Sequence, residues 1–81
     1  MSKLTETLYP STPKAIVTIH PYQEVSWKGW VTAIQDPETA ELVHRPFYYK
    51  ADAIGLAKDV EGKTFDEIIG IYGWKYFEKV R

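Results

Sequence analysis

Residues 64–80 read TFDEIIGIYGWKYFEKV, and two structures compete for them. Thr64-Phe65-Asp66-Glu67 has the spacing of a capping box, in which a threonine and a glutamate satisfy each other's backbone N–H groups at a helix start. Phe65, Ile68, Ile69 and Tyr72 follow at helical spacing. Against a helix stand Gly70 and Gly73, both unfavourable in a helix interior, and a β-branched and aromatic content that suits strands. Two apolar runs, Glu67 to Tyr72 and Trp74 to Val80, flank Gly73, and that arrangement favours a β-hairpin.

Upstream the elements are clearer. Ala53, Ile54, Ala57 and Val60 recur at helical spacing with Leu56 widening the stripe, which predicts a helix over Lys50 to Val60. Gly62 is a natural left-handed stop behind it. Ala15 to Ile19 is rich in β-branched residues and predicts a first strand, ended by Pro21. Gly29 to Ile34 predicts a second strand. Asp36-Pro37-Glu38-Thr39 is a turn, because Asp bonds its own backbone and Pro pre-sets φ. Ala40 to His44 returns as a short third strand, ended by Pro46. Residues 1–13 are polar, aperiodic and read as a flexible leader. The expectation is a single α+β domain over residues 14–81, a small antiparallel sheet of four to five strands with one packed helix, in the order β-β-β-α-β-β.

Composition narrows the function classes. An 81-residue chain has room for one compact domain. With no cysteine there are no disulfides and no thiolate metal sites, and two histidines make a poor metal cage. The net charge of −1 weighs against a module that relies on phosphate contacts. No signal-peptide core and no apolar run of membrane-spanning length occur, so a cytoplasmic, membrane-free protein is expected. No glycine-rich phosphate loop is present, and no cofactor is expected.

Trp30-Val31 in a second strand, Lys50-Ala51-Asp52-Ala53-Ile54 opening a helix, and Glu67 to Ile71 followed by a glycine turn and Glu78-Lys79 resemble the small bacterial domains of unknown function called DUF2188. The resemblance spans about residues 15–81. It implies a sheet with one packed helix and no established activity. Where that family caps its helix with Thr or Ser, this chain has Tyr48 and Tyr49. The first half, three strands ending in a helix near Lys50, is also similar to the small DNA-binding domains at the N-termini of phage-type integrases. Those strands are richer in Arg and Lys than the strands here.

Three constellations carry the functional expectations. Trp27 and Trp30 lie three apart across Lys28-Gly29, so both cannot point inward from one strand. With Tyr48, Tyr49 and Phe77 they are the candidate protein-interface residues, since exposed Trp and Tyr make good anchors. Lys75, Phe77, Lys79 and Arg81 would share one face of a last strand, an aromatic among basic residues that suits single-stranded nucleic acid. A lysine-studded edge strand is also an ordinary guard against aggregation. His20 and His44, with Glu24 or Glu41 nearby, are the only neutral-pH bases, and they lack a nucleophile in a recognisable context. Asp36, Glu38 and Glu41 cluster at a turn without calcium-loop spacing. Apolar residues of both parities along the strands predict an apolar open sheet face and hence a homodimer. The reading is a non-enzymatic protein-binding or self-associating domain, with nucleic-acid binding as the alternative.

Overall fold

Four antiparallel strands form one sheet in chain order: β1 (Ile16–Gln23), β2 (Lys28–Gln35), β3 (Leu42–Phe47) and β4 (Glu78–Lys79). Between β3 and β4 run two helices, α1 (Lys50–Val60) and α2 (Phe65–Tyr72), and a 3₁₀ turn at Trp74–Tyr76. The computed structural model describes residues 13–23 and 26–80. The expected leader, apart from Pro13, lies outside the described residues, as do Glu24 and Arg81. The fold is the expected α+β class with an antiparallel sheet, and two helices pack on that sheet where one was expected.

The hairpin favoured for residues 64–80 does not form. Thr64 caps α2 in full: the Glu67 N–H donates to Thr64 Oγ1 at 3.1 Å, and the Thr64 N–H donates to Glu67 Oε1 at 2.8 Å. That backbone hydrogen bond, more than any other contact, holds the Glu67 carboxyl below its ordinary pKa. Gly73, at φ 84°, ends the helix and donates its N–H to the Ile69 carbonyl at 2.7 Å. Gly70 lies on the exposed side, so its cost is the backbone term of about 1 kcal/mol. Burial of Phe65 and Ile68 offsets it at roughly 2 kcal/mol each. A filled cap and two buried anchors outweigh two glycines.

Both expected proline stops are overrun. Pro21 lies inside β1 opposite Trp30, and Pro46 lies inside β3 opposite Val31. Proline has no N–H for a ladder, so each must turn its nitrogen away from β2. For Pro46 that direction is the β4 side, where the Leu42 carbonyl, four residues earlier, accepts from the Val80 N–H at 3.1 Å. For Pro21 it is the outer edge of the sheet.

One face of the sheet carries the helices. Ile34 and Val43, opposite one another in register, meet Leu56 and Val60 of α1, Phe65 and Ile68 of α2, and Phe77. Thr32 is buried and donates its hydroxyl to the Ala53 carbonyl of α1 at 2.8 Å. Arg45 reaches from β3 to the Tyr76 carbonyl at 2.9 Å, its guanidinium 4.3 Å from the Tyr76 ring centre. It fastens the 3₁₀ turn to the sheet.

Candidate functional site

Side chains alternate across a sheet, so the register assigns His20, Tyr22, Val31, Ala33, His44 and Pro46 to the face away from the helices. Val31 and Ala33 are only 5% and 8% exposed although neither helix covers them. Their register neighbours are His20 and Pro46 for Val31, and Thr18 and His44 for Ala33. The small apolar residues of β2 form a floor between taller, mostly polar neighbours. The broad apolar face expected from the mixed parities is therefore narrower in the structure, and large apolar surface gathers at one end.

That end is a run of rings. The Trp27 ring lies 4.7 Å from that of Tyr48 and 5.5 Å from that of Tyr22, and Tyr22 meets His44 edge-on at 5.5 Å. His44 Nε2 stands 3.8 Å from Glu78 Oε1 on β4. Gly29 makes the cluster possible. A β-carbon there would sit 2.7 Å from Trp27 Cζ3 and collide with the Phe47 carbonyl. Beside the rings an open cleft of about 500 Å³ is lined by Pro21, Tyr22, Gln23, Lys28, Trp30 and Tyr48.

Trp27 and Trp30 divide as their spacing requires. Trp27 joins the rings of the uncovered face, whereas Trp30 lies opposite Phe47 on the helix side, with Lys50 Nζ 4.7 Å from its ring centre. Tyr48 and Tyr49 are 69% and 72% exposed. Tyr49 occupies the N-cap position of α1 without a side-chain cap, and its carbonyl accepts from the Asp52 and Ala53 N–H groups.

Phe77 is a correction. It is 6% exposed, within 5.9 Å of the Tyr72 ring and 5.0 Å of the Tyr76 ring, and belongs to the core. The shared face expected for Lys75, Phe77 and Lys79 is absent because residues 74–76 coil into the 3₁₀ turn and β4 is two residues long. Lys79 pairs with Glu41 at 3.5 Å and lies over the Trp74 ring at 5.1 Å. Arg81 falls outside the described residues.

The other clusters have structural duties. β2 separates His20 from His44, so the two bases do not neighbour one another. His20 Nε2 lies 2.8 Å from Thr18 Oγ1. At the acidic turn Asp36 Oδ1 accepts from the Glu38 N–H at 2.9 Å, and Glu41 is taken by Lys79. Among the described residues no three metal-ligating side chains converge, and no helix is long and apolar enough to cross a membrane.

Sequence reasoning missed Tyr22 and Gly29. Tyr22 was hidden by the expectation that Pro21 ends the strand. Gly29 carried a usable signal, since a glycine inside a strand often marks close approach by another group. Comparisons with known protein families, with curated proteins and with solved structures find no match for this chain.

Proposed function

We propose that this chain is a small, non-enzymatic protein-binding domain that docks its partner on the aromatic end of the uncovered sheet face. One observation carries this reading: Tyr48, mostly exposed, stands against Trp27 and beside an open cleft lined by Tyr22 and Trp30. Rings already held by other rings lose little side-chain freedom on binding, and Tyr and Trp dominate interface anchors for that reason. The occupant that fits is an extended protein segment. It would lay an apolar or prolyl side chain on the rings and offer carbonyl oxygens to Lys28. The DUF2188 resemblance implies no activity, so the reading rests on this surface.

Selection of peptides from a random displayed library on the immobilised chain tests it. A selected peptide should shift tryptophan emission on titration, and Tyr48→Ser should weaken it about tenfold or more with an unchanged far-UV spectrum. A peptide bound equally well by Tyr48→Ser defeats the assignment, and so does a selection that enriches nothing.

Nucleic-acid binding is the second reading, and one feature favours it. Trp74 is 47% exposed beneath the Lys79 ammonium, with Lys75 next to it in sequence. With Phe77 in the core, Trp74 becomes the stacking ring of that reading. The net charge of −1 and the Lys79–Glu41 pair weigh against it. Silence of tryptophan emission towards single-stranded and duplex oligonucleotides at about 50 mM salt removes this alternative, because electrostatic binding is strong there.

A further inference from the structure

We infer that the cleft between α1 and the Tyr72–Tyr76 ring pair binds an aliphatic polyamine, a methylene chain with an ammonium group at each end. The cleft has a volume of about 370 Å³. One wall is α1, with Asp52, Gly55 and Asp59; the other is formed by Phe47, Tyr72 and Tyr76. Residues seven apart in a helix return to the same side, so the two aspartates stand about 10 Å apart along α1 with Gly55 between them. No Lys, Arg or His lines this cleft. Arg45, also against the Tyr76 ring, is tied to the Tyr76 carbonyl and lies outside the lining. The cleft shares no lining residue with the one beside Tyr48.

Two of these residues weaken the helix that carries them. Glycine is poorer than alanine in a helix interior. Packing does not demand Gly55, because a β-carbon there would meet nothing within 4 Å. Asp59 lies in the last turn of α1, whose free carbonyls disfavour a carboxylate. Neither Asp52 nor Asp59 is hydrogen-bonded or ion-paired to a described residue. Residues that break a local rule without a structural return are expected at functional sites. Burial raises the Tyr72 pKa and the Asp59 carboxylate raises it further, so that charge reaches the ring wall. Unpaired carboxylates at both ends select ammonium groups, and ring faces attract the same cations. Gly55 leaves the middle of the trough open, where a methylene chain can lie against the rings. One lysine of a protein partner supplies a single ammonium and cannot meet both ends, whereas a polyamine does.

Calorimetric titration of the full chain with spermidine at about 150 mM salt tests this, because loose surface attraction is screened there. Spermidine should bind one to one, and butylamine, with a single ammonium, roughly fivefold more weakly. Both aspartates are exposed, so Asp52→Asn and Asp59→Asn leave the fold intact, and each should weaken spermidine by a similar factor. Gly55→Leu fills the trough and should abolish binding without lowering the urea midpoint, since leucine favours helix and its β-carbon enters open space. Absence of binding at millimolar spermidine overturns the inference. Equal affinity for butylamine overturns it, as does unchanged affinity in Gly55→Leu or in the Asp52→Asn, Asp59→Asn double variant. Tyr48→Ser should bind spermidine like the wild type, so this reading and the docking reading fail separately.

Discussion

A β-carbon at Gly29 has nowhere to go. It would meet the Trp27 ring on one side and the Phe47 carbonyl of β3 on the other. The first neighbour is a side chain that can swing away, whereas the second is backbone held in the β2–β3 ladder. Gly29→Ala is therefore predicted to destabilise the fold by about 2 kcal/mol, within the range for overpacked sites. Urea denaturation measures that loss, and near-UV circular dichroism should weaken as the Trp27 and Tyr48 rings separate. An unchanged denaturation midpoint would show that β3 yields without penalty. Neighbouring aromatics have opposite fates for similarly local reasons. Tyr48 stands clear because it lies in the two-residue link between β3 and α1, while Phe77 is enclosed because the chain turns inward after the 3₁₀ turn.

At the scale of elements, α2 is the instructive case. Its glycines argued for a hairpin, and the two have different roles: Gly73 is a stop at positive φ, and Gly70 is an exposed helical residue with open space where a β-carbon would lie. Gly70→Ala should therefore stabilise the protein by about 1 kcal/mol, through helix propensity and a less flexible unfolded chain. The measurement is the urea midpoint at constant slope. Destabilisation would contradict the helical assignment, because a strand-turn glycine tolerates alanine poorly. Much was legible in the sequence where local rules act alone. The bounds of α1 and the Asp36 turn followed from periodicity and from an aspartate beside a proline. The capping box at Thr64 was legible too, but its weight depends on Phe65 and Ile68 finding a core, a tertiary fact that propensity cannot carry. The prolines failed as strand stops for a similar reason. Whether a proline breaks a strand depends on which way its nitrogen points, and that depends on the neighbouring strand. Of the candidate site, Trp27, Trp30 and Tyr48 were legible as aromatics near strand ends. Tyr22 was lost with the residues beyond Pro21.

At the scale of the whole molecule, both helices lie on one side of the sheet, leaving one face without a helix and the outer side of β1 without a described strand. A chain this short buries only about 60% of the surface its unfolded form exposes, so association at an uncovered margin adds appreciably to its stability. The face protects itself by sinking Val31 and Ala33 between polar neighbours. The β1 edge is guarded near its ends, by Pro21 and by the Lys63 carbonyl that accepts from the Ala15 N–H at 3.0 Å. Hydrogen exchange separates the two margins residue by residue. The amides of Thr18 and His20 point inward to Ala33 and Val31, whereas those of Val17 and Ile19 point outward. In a monomer, exchange along β1 should therefore alternate, slow at residues 18 and 20 and fast at 17 and 19. Protection at Val17 and Ile19 equal to that at Thr18 and His20 would mean that the outer side of β1 is covered along its length.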